Sequence, residues 1–288
     1  MKLALGTVQF GLHYGISNQS GQVSREDAKG IIALARSSGI DTLDTAIAYG
    51  NSEACLGQVG VDGFKVITKL PAMPDNVADV SNWMYDQIQA SLQRLNVKSV
   101  YAVLLHRSQQ LLGAKGKDLY QMLGQLKAEG TVQKIGVSIY APSELDSLMN
   151  CCPLDLVQAP FNLIDQRLQS SGWLQKLHDT GVEVHARSVF LQGLLLMPST
   201  VIPEKFKHWL PLLNTWHDWL LDNNTSAAQA CIGFVQSHPQ ITKVVVGVES
   251  MQQLQQLIQA EKEPPNTGWP NINCSDEHLI NPSCWNVF

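Results

Sequence analysis

The chain of 288 residues has a net charge of −5 at pH 7, with 44% hydrophobic and 16% charged residues. This composition can bury a large core, and the absence of a basic cluster argues against nucleic acid or an anionic membrane as the main partner. No stretch reaches the roughly 18 apolar residues of a spanning helix, and the N-terminus lacks signal-peptide features, so we expect a cytoplasmic protein. The six cysteines have no metal-binding spacing. We expect reduced thiols, with a vicinal Cys151–Cys152 disulfide as the less favoured alternative.

Apolar runs alternate with amphipathic stretches along the chain. Eight runs predict β-strands, which begin near Leu3, Ile40, Lys65, Ser99, Lys134, Leu154, Val182 and Thr242. The runs are nearly continuous rather than alternating, as is typical of parallel strands buried on both faces. Helices are predicted between them. Ser24 begins the first and Gly39 follows its end, and further helices are expected at 80–95 and 250–260.

Two segments depart from this repeat. The stretch between strands seven and eight is about twice as long as the others, which indicates an insertion with a Trp-rich helix around 205–221. The tail, 261–288, is rich in Pro and Asn and is predicted to be irregular. Its apolar residues are expected to pack on the rest of the molecule: Trp269, Ile272, Trp285 and Phe288. Eight strands alternating with helices, without a dividing linker, predict a (β/α)8 TIM barrel in one domain of residues 1–288.

Titratable side chains stand at or just beyond the ends of three successive strands. Asp44 and Tyr49 follow the second run, Lys69 ends the third and His106 ends the fourth. In a parallel barrel these strand ends meet at one face, where such folds place their chemistry. Singly, each residue has an ordinary structural explanation, such as helix capping for Asp44 or a hydrogen-bonded core position for His106. Together and in this order they predict one site.

The same residues carry a resemblance to a known family. Their order, and the segment Asp-Thr-Ala-x-x-Tyr-Gly-x-Ser-Glu at 44–53, resemble the aldo-keto reductases. In that family the four positions form the catalytic tetrad, so the resemblance implies that Asp44, Tyr49, Lys69 and His106 are catalytic. It further implies an enzyme that reduces a small-molecule aldehyde or ketone with NADPH, or alternatively NADH.

The tetrad suits this chemistry physically. A phenol has a pKa near 10 and is a weak acid at neutral pH, and an adjacent ammonium lowers that pKa. Tyr49 would donate the proton, Lys69 would supply the ammonium, and Asp44 would keep the lysine charged. His106 would orient the carbonyl oxygen or help relay the proton.

Similarity to the family's cofactor site extends along most of the chain. Gly6 and Thr7 match its opening Gly-Thr, and Ser138 and Gln158 match residues that hold the nicotinamide carboxamide. The segment 186–195 is similar to the stretch that wraps the pyrophosphate. The turn after strand eight is similar to the one that binds the adenosine end, at a helix N-terminus suited to anions. From these two segments the resemblance implies further cofactor contacts: Arg187, Ser188, Phe190, Gln192, Gly193, Gly247, Glu249, Ser250 and Gln253.

Four positions depart from the family pattern. Ile139 replaces a carboxamide-binding Asn, Arg187 replaces an aromatic ring that commonly stacks on the nicotinamide, and Leu257 replaces an Asn at the adenine. Glu249 stands where NADPH-preferring relatives often carry Lys, Arg or Ser near the 2′-phosphate. A carboxylate there opposes a phosphate and suits a free ribose hydroxyl, so we expect any preference for NADPH to be small.

Substrate and function leave alternatives open. A hydroxylated, sugar-like substrate is suggested by polar residues near the predicted strand ends: Asn51, Arg107, Asn162 and Gln192. One alternative function is a Schiff-base lyase with Lys69 as the nucleophile. Another is a non-catalytic regulatory subunit that binds the cofactor. Metal-binding, P-loop and Gly-x-Ser-x-Gly motifs are absent from the sequence, so we expect no metal.

Overall fold

The computed structural model describes residues 1–287. Each of eight strands pairs in parallel with the next, and the eighth pairs back with the first to close a barrel. The strands are β1 (Leu3–Gly6), β2 (Thr42–Asp44), β3 (Lys65–Leu70), β4 (Val100–Leu105), β5 (Val132–Ser138), β6 (Leu156–Pro160), β7 (Glu183–Arg187) and β8 (Lys243–Gly247). This is the (β/α)8 TIM barrel that the sequence predicted.

Helices surround the strands and bury their apolar faces against them. They are α1 (Arg25–Ser37), α2 (Ser52–Val59), α3 (Val80–Leu95), α4 (Gly116–Ala128), α5 (Glu144–Cys151), α6 (Arg167–Ser170), α7 (Trp173–Asp179), α8 (Leu210–Asp222), α9 (Ala227–Gln236), α10 (Met251–Lys262) and α11 (Glu277–Ile280). The predicted start of α1 is confirmed, because the Ser24 side chain accepts a hydrogen bond from the Asp27 amide. Gly39 has φ +82 just past the end of α1, as a C′ glycine requires.

The insertion after β7 is confirmed, but its Trp-rich helix begins later than predicted. Residues 204–209 form a 3₁₀ turn, and α8 starts at Leu210 with Pro211 in its first turn. Proline lacks an N–H and is tolerated in the first turn of a helix but not in its interior, so the helix cannot run through this position from 205. Trp216 is fully buried and donates its indole N–H to the Leu195 carbonyl.

The tail is more ordered than the sequence suggested. The preceding helix α10 continues to Lys262, and α11 is followed by a 3₁₀ turn at 282–287, so the prediction of an irregular tail is wrong in these parts. Trp285 is 3% exposed and packs edge-on against Phe206. Ile272 is buried as well, and Trp269 contacts Phe234. Packing of the tail on the barrel is therefore confirmed, while Phe288 lies outside the described residues.

The lower part of the barrel interior is filled by side chains. Four buried apolar side chains pack together within it: Ile67, Ala102, Leu104 and Leu156. All six cysteines are free. Within residues 1–287, no helix is long and apolar enough to cross a membrane.

Candidate active site

The four predicted catalytic side chains meet at the C-terminal end of the barrel. Asp44 is the last residue of β2, and Lys69 lies near the end of β3. The Lys69 ammonium donates to Oδ2 of Asp44 at 2.6 Å and to the Tyr49 hydroxyl at 3.5 Å. The imidazole of His106, just beyond β4, lies edge-on to the Tyr49 ring with centroids 5.9 Å apart. The structure thus brings the whole predicted tetrad together.

The surroundings raise the pKa of Lys69 and lower the pKa of His106. Lys69 is fully buried, which acts to lower its pKa, but the Asp44 charge and the hydrogen bonds to Asp44 and Tyr49 outweigh burial and raise the pKa above the usual value. Lys69 is therefore an ammonium at neutral pH. For His106, burial and then the Lys69 charge lower the pKa to about 4. The imidazole is therefore neutral at neutral pH.

The loop that carries Tyr49 is held against the loop after β1. A Cβ on Gly11 would lie 1.8 Å from the Tyr49 carbonyl oxygen, so only glycine permits this approach. The Ser52 hydroxyl, at the start of α2, donates to the Thr7 carbonyl at 2.8 Å and also lies 2.9 Å from the Thr7 hydroxyl. These contacts fix the position of Tyr49 relative to β1.

A cavity of about 800 Å³ runs from the tetrad to the turn between β8 and α10. Asp44, Tyr49 and His106 line one end of it, and Lys69 lies behind them. Most of the predicted cofactor residues also line the cavity: Gly6, Thr7, Ser138, Gln158, Arg187, Ser188, Phe190, Gln192, Gly193, Gly247, Glu249 and Gln253. The cavity therefore joins the tetrad to the segments that the family resemblance assigned to the cofactor.

Ser250 is the exception among those cofactor predictions, because it does not line the cavity. Its hydroxyl caps α10 by accepting a hydrogen bond from the Gln253 amide at 3.2 Å. The side-chain oxygen of Gln253 in turn accepts from the Glu249 amide at 2.7 Å. Ser250 thus satisfies one of the free backbone donors at the helix N-terminus, and Gln253 satisfies the amide of the residue before the cap.

Three of the four residues that suggested a sugar-like substrate lie away from the cavity. Asn51 and Arg107 are exposed and outside its lining. Asn162 is fully buried, and its amide donates to the Ser188 carbonyl while its oxygen accepts from neighbouring backbone amides. Gln192 alone lines the cavity, where its amide donates to the Tyr14 hydroxyl at 3.1 Å.

Sequence reasoning missed several large side chains at the cavity mouth. They come from the loops after β1, β5 and β7: Leu12, Tyr14, Tyr140 and Leu196. A usable signal was their position in loops that follow strand ends, where barrel folds build their sites. Two of these loops are also joined to each other, because the Ile16 amide donates to the Gln192 carbonyl at 3.1 Å.

The family model described as the Aldo/keto reductase family matches residues 2–267. An aldo-keto reductase of Mycobacterium sp. (strain KMS) is 28% identical over 197 residues, covering 62% of this chain and 65% of that protein. The match thus spans less than two thirds of that relative's length. The pyridoxal 4-dehydrogenase of Microbacterium luteolum is 23% identical over 323 aligned positions, covering 94% of this chain and 92% of that protein.

Solved structures show the same fold. The aldo-keto reductase AKR11C1 from Bacillus halodurans, in its holo form, superposes with a TM-score of 0.76 at 18% identity. The superposition covers 92% of this chain and 88% of that one. A second structure, of the putative aldo-keto reductase PA4992 from Pseudomonas aeruginosa, gives a TM-score of 0.67 at 22% identity and covers 90% and 89% of the two chains.

Proposed function

Because the chain belongs to the aldo/keto reductase family, we propose that it reduces an aldehyde or ketone to the alcohol with a nicotinamide cofactor and with Tyr49 as the proton donor. One observation carries the assignment of the proton donor. The Lys69 ammonium is fully buried and bonds both the Asp44 carboxylate and the Tyr49 hydroxyl. A charged lysine held beside a phenol is the arrangement that supports general acid catalysis by tyrosine.

Tyr49, Lys69 and Asp44 have separate roles in adding a proton to the carbonyl oxygen. Tyr49 gives its hydroxyl proton to that oxygen, and a phenolate is left behind. The Lys69 ammonium, 3.5 Å from the hydroxyl, stabilises this anion electrostatically. Asp44, at 2.6 Å, holds the ammonium in place. The cofactor, when bound, supplies the hydride that adds to the carbonyl carbon.

His106 orients the substrate in this proposal. Its lowered pKa, about 4, means that the ring is neutral across the physiological range. A neutral imidazole donates from one nitrogen only. Its edge-on contact with Tyr49 sets the ring beside the phenol, so both groups can approach one carbonyl oxygen.

The cavity fits a nicotinamide dinucleotide. A volume of about 800 Å³ lies within the range of roughly 300–1,000 Å³ found for small-molecule and cofactor sites. At the tetrad end, the Ser138 hydroxyl and the Gln158 amide offer the donors and acceptors that a carboxamide needs. Gly6 and Gly247 line the cavity without side chains, so a cofactor can lie against their backbone. These residues are proposed to hold the nicotinamide end.

We propose NADPH as the cofactor, with NADH accepted almost as well. NADPH is the usual cofactor of the family, which supports this choice. Among the described residues that line the cavity, however, Arg187 is the only lysine or arginine, and it lies at the tetrad end. Glu249 lies at the far end of the cavity, and burial raises its pKa above the usual value. A carboxyl group there offers a 2′-phosphate no attraction.

The geometry favours reduction over the two alternative functions. A Schiff-base lyase needs an unprotonated amine that the substrate can reach. The Lys69 amine is instead buried, charged and bonded to the Asp44 carboxylate and the Thr45 carbonyl. The regulatory-subunit alternative needs no proton donor, and the contacts between Tyr49 and Lys69 support an enzyme.

The test is a screen for carbonyl-dependent loss of reduced-cofactor absorbance with NADPH and with NADH. The panel contains aliphatic, aromatic and sugar aldehydes, together with pyridoxal, and the alcohol product is identified by mass. We expect turnover of at least one member. Tight cofactor binding without turnover of any aldehyde would favour the regulatory subunit. A borohydride-trapped substrate adduct on Lys69 would favour the lyase.

A further inference from the structure

Arg187, the last residue of β7, is a cation in the cavity that has no acidic partner among residues 1–287. None of the ion pairs formed within residues 1–287 includes it. Its guanidinium donates instead to the Ile139 carbonyl at 2.9 Å and to the Ser188 hydroxyl at 3.1 Å. These neutral acceptors fix the side chain in position but leave its charge uncompensated.

The guanidinium is directed toward the tetrad end of the cavity. Ile139, whose carbonyl it bonds, directly follows β5, and the Tyr140 ring centroid lies 4.7 Å from the guanidinium carbon. Both contacts lie on the side of Ser138 rather than on the side of β8. The same positive charge contributes to the lowered pKa of His106, after burial and Lys69. Arg187 therefore acts electrostatically on the imidazole that would face the substrate carbonyl.

The acidic groups of the cavity do not neutralise this charge. Asp44 is already bonded to Lys69 at 2.6 Å and to the Gln158 amide at 2.7 Å. Glu249 stands at the opposite end, where it meets the turn into α10. A partly buried cation without a counter-charge is unfavourable, and an anionic ligand would remove that penalty. The planar guanidinium fork matches the oxygens of carboxylate and phosphate groups.

The cavity mouth adds an apolar surface beside the cation. Four large side chains line it and are each between 39% and 41% exposed: Leu12, Tyr14, Tyr140 and Leu196. Exposed apolar and aromatic groups clustered around a pocket mark a binding surface. A ligand that fills this mouth would thus meet ring faces and leucine side chains, with one positive charge near the reacting carbonyl.

From this arrangement we propose that Arg187 binds an anionic group of the substrate, and that the preferred substrates are carbonyl compounds bearing a carboxylate or a phosphate. The inference rests on the proposed reductase function and specifies its substrate class. Arg187 is then a residue that determines specificity. The apolar mouth holds the remainder of the substrate, and the tetrad acts on its carbonyl.

Matched pairs of charged and uncharged aldehydes test the proposal. The carboxylate arm compares 4-carboxybenzaldehyde with its methyl ester, and the phosphate arm compares glyceraldehyde 3-phosphate with glyceraldehyde. For the wild type we expect kcat/KM to favour the charged member of at least one pair by tenfold or more. Arg187→Gln should abolish that preference, because kcat/KM should fall at least tenfold further for the charged member than for the uncharged member. Arg187→Lys, which keeps the charge without the fork, should retain part of it.

Two controls separate this proposal from other effects. Arg25→Gln removes an exposed cation from α1, and it should leave the preference for the charged aldehyde unchanged. Binding of 4-methylbenzoate, which has no reducible carbonyl, is measured by calorimetry on the wild type and on Arg187→Gln in the presence of oxidised cofactor. Loss of this binding in Arg187→Gln supports the proposal even if no aldehyde is turned over. A lack of turnover would contradict only the reductase assignment.

Three outcomes would overturn the proposal. One is a wild type that reduces the aldehydes of both pairs without preferring either charged member. Another is an Arg187→Gln variant that loses activity equally on charged and uncharged members. The third is a variant whose main defect is weaker binding of the cofactor itself, which would assign the guanidinium to the cofactor rather than to the substrate.

Discussion

Gln158 and Asp44 share a hydrogen bond across the barrel, in which the side-chain amide donates to Oδ1 of the carboxylate at 2.7 Å. The other carboxylate oxygen accepts from Lys69 at 2.6 Å. The amide oxygen of Gln158 accepts from the Ser138 hydroxyl at 3.4 Å. The residue that the family resemblance assigned to the carboxamide thus also holds the carboxylate that fixes the lysine.

The first prediction concerns this shared bond. Gln158→Leu leaves Oδ1 of the buried Asp44 without its donor. Loss of a hydrogen bond to a buried charged group costs about 1.5–3 kcal/mol, and the free energy of unfolding should fall by that amount. Urea unfolding at pH 7 measures the change, with Gln93→Leu on the exposed face of α3 as the matched control. Equal stability of Gln158→Leu and the control would show that the bond contributes nothing.

The second prediction concerns the buried pair of Lys69 and Asp44. Removing one partner leaves an uncompensated buried charge, so Lys69→Met and Asp44→Asn should each lower the free energy of unfolding by about 3–5 kcal/mol. The double variant should lose clearly less than the sum of the two, because neither charge remains. A double-mutant cycle from urea unfolding gives the coupling energy. Additive losses would contradict a direct interaction between the two side chains.

The third prediction is a pH dependence that originates at His106. Its pKa is lowered from 6.5 to about 4 in the folded protein, so between these values the unfolded chain binds a proton that the folded protein does not. The stability contributed by the neutral ring is complete above pH 6.5 and is lost as the pH falls toward 4. Replacing the ring with a group that does not titrate should remove this part of the acid sensitivity.

His106→Gln tests this directly. Urea unfolding of the wild type and the variant at pH 7.5, 5.5 and 4.5 should show a flatter curve for the variant. If both proteins lost the same stability over this interval, the imidazole would titrate normally and the assignment of a neutral ring would fail.

The fourth prediction concerns cofactor choice at the far end of the cavity. Glu249→Lys replaces a carboxylate with an ammonium beside the proposed site of the 2′-phosphate. The ratio of kcat/KM for NADPH to that for NADH should rise by roughly tenfold, equivalent to about 1.4 kcal/mol. Fluorescence titration of both cofactors should show the same shift in Kd. An unchanged ratio would mean that Glu249 does not face the adenosine ribose.

Much of the scaffold and the tetrad could be predicted from sequence for one physical reason. Buried parallel strands have nearly continuous apolar runs, so a polar residue that ends such a run stands out, as Asp44 and Lys69 do. The C-terminal ends of the strands then converge by topology alone. Residues whose roles depend on local backbone geometry could not be assigned in this way.

Ser250 and Asn162 are two residues whose roles could not be predicted from the sequence. Both are polar residues near strand ends, yet Ser250 caps a helix and Asn162 bonds the backbone around it. Short polar side chains compete for nearby backbone groups, and only the folded loop shows which partner is within reach. The direction of Arg187 was equally inaccessible, because its acceptor at Ile139 belongs to a different strand end.

The proton-donor role of Tyr49 is the central claim, and one variant tests it most directly. Tyr49→Phe keeps the ring against His106 and removes only the hydroxyl beside Lys69. In single-turnover reduction with cofactor bound, hydride transfer should slow by about 10²–10⁴-fold, while the Kd for the cofactor changes less than threefold. A variant that transferred hydride at a rate within a few-fold of the wild type would contradict the account.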